Sequence, residues 1–144
     1  MNKNDCPKTE MIVKMLHDKK YTLDELAKSA KLPSLSSCLN EMMGRRNKSV
    51  EVTAGLADIN KATLHKIMAR KMNPSRNMLI RLAMALEMTF DETQVLLKSG
   101  NCAALSGSRE RDIYLIDGIE NKKYFDEINA ALREHGLPDL YSKG

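Results

Sequence analysis

The sequence predicts an all-α fold, and three observations carry that reading. Apolar residues recur at helical spacing along most of the chain, and strict β alternation is absent. Helix start and stop signals bracket those stretches: side-chain caps, two capping boxes, and Pro or Gly at the ends. The third observation is compositional: 7 Gly and 4 Pro in 144 residues are few for a turn-rich β architecture. At 42% hydrophobic and 29% charged, the chain has the apolar content for a core and is not of disordered type.

The elements follow in order. Met11, Ile12, Met15 and Leu16 fall at helical spacing. Thr22 to Glu25 has the capping-box form, and Leu23, Leu26, Ala27 and Ala30 line one face after it. Leu32-Pro33-Ser34 breaks the pattern, because the residue before Pro avoids helical angles. Residues 1–34 therefore read as an N-terminal helical extension. A helix opens at Ser36 or Ser37 with Leu39, Met42 and Met43 as its stripe, and residues 44–47 end it. Ser49 caps a short helix over 50–57. Asn60 caps another from Lys61 to about Arg70, with Leu64, Ile67 and Met68 inward. Asn73-Pro74-Ser75 stops it and starts helix 76–86, whose Leu79, Ile80, Leu82, Ala83 and Leu86 make a broad buried face.

Thr89 to Glu92 is the second capping box and opens helix 90–99, which Gly100 closes. Residues 100–108 are mostly small and polar and form a loop. Helix 109–119 follows, with Ile113, Ile116 and Ile119 on a stripe. Helix 124–135 carries Phe125, Ile128 and Leu132, with Gly136 and Pro138 at its end. Residues 22–46 and 49–74 both begin with a cap, an acid and an Ala. Their apolar positions diverge after Leu32, so they are not read as a repeat.

Several function classes are excluded at this level. No apolar run approaches the ~18 residues of a membrane span. Residues 1–8 lack the apolar core of a signal peptide, so a cytoplasmic protein is expected. The three cysteines, Cys6, Cys38 and Cys102, are odd in number and far apart, which fits neither a disulfide framework nor a zinc site. His17, His65 and His135 show no metal spacing, and the methionines fall on inward stripes with Leu and Ile, as core residues. No nucleophile–base set and no glycine-rich phosphate loop is found, so no enzyme, metal or cofactor is expected.

The net charge of +4 is unevenly spread. Residues 1–40 sum to +2, residues 41–81 to +6, and residues 87–144 to −4. Within 60–81 stand Lys61, Lys66, Arg70, Lys71, Arg76 and Arg81, with no Asp or Glu. An acid-free basic stretch in an otherwise balanced chain is the footprint of a polyanion binder, although a charge run by itself is ordinarily a solvated face.

Residues 49–75 give that charge a form. A first helix as short as 50–57 is able to lie across a DNA backbone. Ala54 lets the next helix approach, and Asp58 tolerates the left-handed turn between them. Ile59 plugs the core, while Leu64 and Ile67 face inward. Lys61, Ala62, His65 and Lys66 are then left on the outer face, where a recognition helix meets the major groove.

On these residues the chain resembles the phage-repressor-like (Xre-type) helix-turn-helix family from about Leu35 to Ser99. Asn73-Pro74-Ser75-Arg76 followed by 79–86 is similar to that family's fourth helix, and 89–98 to its fifth. Arg109 to Asp112, Glu127 to Asn129 and Glu134 to Leu137 resemble a bacterial subgroup with an added C-terminal helical hairpin. The implied fold is a five-helix lambda-repressor-like DNA-binding domain over 35–100, with the N-terminal extension before it and a hairpin over 101–144. The chain departs from the family pattern at four places. Asp58 and Arg70 stand where glycine is usual, Thr53 where a large apolar residue is usual, and Gly55 lies mid-helix at a cost of about 1 kcal/mol relative to Ala. Lys61 and Ala62 occupy recognition positions often filled by Gln or Ser.

The resemblance implies a set of DNA-binding residues. Lys61, Ala62, His65 and Lys66 would face base edges: Lys donates to guanine, and the Ala methyl meets a thymine methyl. Asn60 and Thr63 would touch phosphate at the helix start, and Ser49, Arg70, Lys71 and Arg76 would hold the backbone. The expected partner is double-stranded DNA, bound by a homodimer because palindromic half-sites need two recognition helices. The apolar stripes of the hairpin bury either against a second copy or against the domain itself, and its acidic surface is a candidate site for a protein partner. The alternative function is an interaction module that keeps the helix-turn-helix fold without binding DNA. A surface retired from DNA binding has no reason to exclude acids from 60–81, which ranks DNA binding first.

Overall fold

The computed structural model describes residues 33–142; residues 1–32 of the N-terminal extension, with the helical spacing expected from Met11 to Leu16 and the capping box expected at Thr22 to Glu25, lie outside the described residues. Among the described residues the chain is all-helical, with seven helices and no strand: α1 (Leu35–Arg45), α2 (Val50–Ala57), α3 (Lys61–Met68), α4 (Arg76–Ala85), α5 (Phe90–Ser99), α6 (Glu110–Glu120) and α7 (Phe125–Glu134). None is long and apolar enough to cross a membrane.

The helix starts follow from local chemistry. Ser34, Ser49, Asn60, Ser75 and Thr89 each take an extended conformation and accept a bond from a backbone N–H of the first turn. Thr89 and Glu92 complete a capping box. The cap of α1 is Ser34 rather than Ser36 or Ser37, so this helix begins earlier than expected. Pro33 lies just before the cap, where its ring is tolerated.

The helix ends share one device. Asn47, Asp58, Arg70, Glu87, Asn101 and Lys122 all turn left-handed, with φ between 50° and 61°. The residue after each donates its N–H back to a carbonyl five positions earlier, as from Ile59 to Ala54 (2.9 Å) and from Lys71 to Lys66 (2.9 Å). At the end of α5 the left-handed residue is Asn101, and Gly100 keeps ordinary helical-side angles. Gly100 answers a packing need instead, because a Cβ there would collide with the Leu79 side chain.

Leu39, Met42, Leu64, Ile67, Leu79, Ile80, Leu82, Leu86, Leu96 and Leu97 are fully buried and form the centre. α4 runs through it and packs against α2 and α5, while α1 packs against α3 and α5. The hairpin of α6 and α7 joins the same core through Leu115, Ile119, Ile128 and Leu132. Its apolar face therefore buries within the chain. The face of α6 is rotated from the expected stripe: Leu115 is fully buried and Ile113 is 52% exposed. Gly118 explains the rotation, since a Cβ there would collide with Ile128 and hold α7 away.

The last residues fold back over α4. Arg111 donates to the carbonyls of Pro138 (2.7 Å) and Asp139 (3.0 Å) and to Oδ1 of Asn77 (2.8 Å). Asn77 donates to the Ser142 carbonyl at 2.8 Å, and Asn129 accepts from Leu140 N–H at 2.9 Å. Tyr141 lies under the Arg81 guanidinium, 4.8 Å from ring centroid to carbon.

Candidate nucleic-acid interface

The turn between α2 and α3 is built as its residues require. Asp58 adopts φ 55° and ψ 47°, the left-handed conformation that a short polar side chain tolerates. Ile59 follows at 8% exposure and fills the core beneath the turn. Ala54 is buried at the crossing, where its size allows the close approach. Asn60 then opens α3, its Oδ1 accepting from the Ala62 N–H at 2.8 Å. Its side-chain amide N–H groups are what it has left to offer a phosphate. Ser49 caps α2 in the same way, its Oγ accepting from Val52 N–H at 3.2 Å.

Leu64 and Ile67 anchor α3, at 0% and 1% exposure. The Ser36 hydroxyl donates to the Met68 carbonyl at 2.6 Å and ties the end of α3 to the start of α1. With those positions buried, Lys61, Ala62, His65 and Lys66 are exposed on the outer face, and Thr63 is half-buried at its edge. Arg70 and Lys71 are exposed just past the helix end. Four cations and one histidine thus occupy a single helix and its exit.

One acid enters this surface from outside the basic stretch. Glu51 on α2 pairs with Lys61 at 3.1 Å, with the two side chains 53% and 58% exposed. Its own backbone N–H first and Lys61 second hold the Glu51 carboxyl below its usual range. Such an exposed pair is weak, being screened by solvent, and exchanges readily for another anion. The sequence reading missed Glu51, which stands ten positions before Lys61. The turn brings it back one helix later.

Other basic residues are committed elsewhere. Arg76 was expected on the DNA backbone. Instead its guanidinium grips Asp112 through Nη1–Oδ1 (3.1 Å) and Nη2–Oδ2 (2.9 Å) and donates to the carbonyls of Ala103 (2.8 Å) and Ala104 (3.2 Å). These bonds engage all three guanidinium nitrogens, and the side chain is only 17% exposed. Asp112 attracts it because a buried carboxylate needs a partner. Arg81 is buried against Tyr141. Arg46 and Lys48 close the C-terminal end of α4, donating to the carbonyls of Leu86 (2.9 Å) and Ala85 (2.9 Å). Arg45 pairs with Glu41 and Glu92. The accessible cations of 60–81 are therefore Lys61, Lys66, Arg70 and Lys71.

The Asp58 carboxylate faces the Tyr141 hydroxyl. Burial and that carboxylate both raise the phenol above its ordinary range. The chain's end thus reaches the turn that sets the direction of α3, a link with no signal in the sequence. Among the described residues no group of three His, Cys, Asp or Glu stands together to hold a metal ion. Comparison with protein-family models, curated proteins and solved structures gives no match for this chain.

Proposed function

We propose that the chain is a sequence-specific DNA-binding transcriptional regulator of the phage-repressor-like helix-turn-helix type, with α3 as the helix that enters the major groove. The observation that carries the reading is the outer face of α3. Lys61, Ala62, His65 and Lys66 project from a helix whose opposite face is locked into the core, with Arg70 and Lys71 at its exit. A rigid helix presenting donors and no carboxylate of its own matches the acceptor-rich edges of the major groove and the phosphates beside it.

Roles divide by position. Lys61, Ala62, His65 and Lys66 meet base edges. Asn60, Thr63 and Ser49 lie at helix starts, where backbone N–H groups favour phosphate. Arg70 and Lys71 are the phosphate contacts beyond the helix. Arg76 leaves the list. Lys61 reaches DNA by exchanging the Glu51 carboxylate for a nucleic-acid acceptor, so Glu51 opposes non-specific binding. Two copies bind, one at each half-site.

The experiment is fluorescence anisotropy on a duplex enriched from a randomised pool, with bulk DNA as competitor. The proposal expects binding that resists the competitor and a log–log salt slope that falls by about 1 when Lys71 or Arg70 is replaced by Ala. No enrichment, with wild type and both variants equally weak, would sink it.

A further inference from the structure

Glu51 stands in the first turn of α2, yet its side chain meets α3. Its Oε1 lies 3.1 Å from Lys61 Nζ, and both side chains are more than half exposed. The carboxyl is held below its usual range first by its own backbone N–H and then by Lys61, and the His65 ring one turn along α3 acts on it in the same direction. Glu51 therefore shares the outer face with Lys61 and His65, two of the residues assigned to base edges. A carboxylate is out of place there. The charge of DNA repels it, and it loses its partner once Lys61 turns to a nucleic-acid acceptor. It then needs a hydrogen-bond donor, and the phosphate backbone has none.

We propose that Glu51 is a specificity-determining residue that reads one G·C base pair together with Lys61. In the major groove only the amino groups of cytosine and adenine donate hydrogen bonds. A G·C pair presents two adjacent acceptors, guanine N7 and O6, and then the cytosine N4 donor. Lys61 takes the acceptors and Glu51 the donor, so every polar group on that edge is matched. Guanine O6 and cytosine N4 stand one hydrogen bond apart across the pair, as Lys61 Nζ and Glu51 Oε1 do at 3.1 Å. An A·T pair puts its donor between two acceptors, with the thymine methyl beyond, and leaves one acceptor unmatched. Against phosphate Glu51 only repels, whereas against cytosine it binds. The charge that weakens binding to bulk DNA thus sharpens the choice of one base pair.

This role rests on the DNA-binding reading, and the experiment lets the two fail separately. Wild type, Glu51→Ala and Lys61→Ala would each be carried through selection from a randomised duplex pool, with affinities then measured on the selected site and its single-pair variants. For wild type one half-site position should be G·C, and replacing it by A·T should weaken binding about 10-fold or more. In Glu51→Ala the same replacement should cost less than about 3-fold, and affinity for bulk DNA should rise. Lys61→Ala should relax that same position. Melts followed by circular dichroism should show the three chains folded alike, because both side chains are exposed. A Glu51→Ala chain that keeps the wild-type preference at every position and merely binds all DNA more tightly would overturn the role and leave the DNA-binding reading standing. So would relaxation at a position that Lys61→Ala does not touch. No enrichment by wild type would remove both.

Discussion

Arg76 and Asp112 form a two-pronged ion pair between α4 and α6, with Nη1–Oδ1 at 3.1 Å and Nη2–Oδ2 at 2.9 Å. Asp112 also accepts from the Ser106 N–H at 3.0 Å, so the pair gathers the loop of 100–108 as well as the two helices. A residue counted among the DNA contacts on sequence grounds is thereby the bolt between the helix-turn-helix segment and the hairpin.

Arg76→Ala should cost about 2 kcal/mol, because it leaves a carboxylate that is 1% exposed with only the Ser106 N–H and a longer contact to Arg109 at 3.7 Å. Urea melts followed by circular dichroism measure this. At a temperature where the variant is folded, its DNA-binding salt slope should equal that of wild type. Lys71→Ala should do the reverse, lowering the slope by about 1 with stability little changed.

The same pair sets an acid limit. Burial pushes the Asp112 carboxyl up, but the bonds from Arg76 and from the Ser106 N–H outweigh it and leave it below its usual 3.8. The depressed folded value means that the unfolded state takes up the proton first. The pair's contribution is fully present above about pH 5 and is lost as pH falls through the folded value. Melting temperature should therefore drop below pH 4, and Asp112→Asn should flatten that drop.

Helix α2 carries two removable costs. The Thr53 hydroxyl is buried with no partner, and Gly55 sits mid-helix with open space where a Cβ would go. Thr53→Val and Gly55→Ala should each stabilise by about 1 kcal/mol, read as urea midpoints at unchanged m.

Arg70 separates stability from binding. Its φ of 61° is the left-handed conformation that costs a side chain about 1 kcal/mol and glycine little. Arg70→Gly should raise the melting temperature by a few degrees. On the DNA-binding account it should weaken binding in the same preparation.

Cys38 is buried, and its thiol is pushed up to about 11, first by burial and then by Glu41 and Glu92. At pH 8 only about one thiol in a thousand is ionised, so Cys38 should resist iodoacetamide in the folded chain and react after unfolding. Mass spectrometry of the labelled peptides reads this directly.

Much of the fold was legible because its signals are local. Ser49, Asn60 and Thr89 cap where their chemistry placed them, and Leu64 and Ile67 are buried as their spacing requires. Asp58 and Arg70 both turn left-handed although neither is glycine. What escaped the sequence depends on distant partners. The charge of Arg76 was visible but Asp112 as its holder was not, because 36 residues separate them. Arg81 counts toward the basic stretch in the sequence, but it is buried against Tyr141, 60 residues on, and adds nothing to the accessible charge. The α6 stripe was read from its isoleucines, whereas the close approach at Gly118 turned Leu115 inward. A charge run reports how many cations a segment holds, and only the tertiary structure assigns which of them are accessible.

The central claim is that the outer face of α3 reads DNA, and Lys66 tests it most directly: it is exposed, in the last turn of the helix. Wild type and Lys66→Ala would be titrated side by side against the enriched duplex, with competitor DNA present and salt varied. The account predicts tight, competitor-resistant binding by wild type, an affinity at least about 10-fold weaker for Lys66→Ala, and unchanged melting of the variant. Equal affinity of the two proteins for the enriched duplex, or binding that bulk DNA removes without preference, would contradict it.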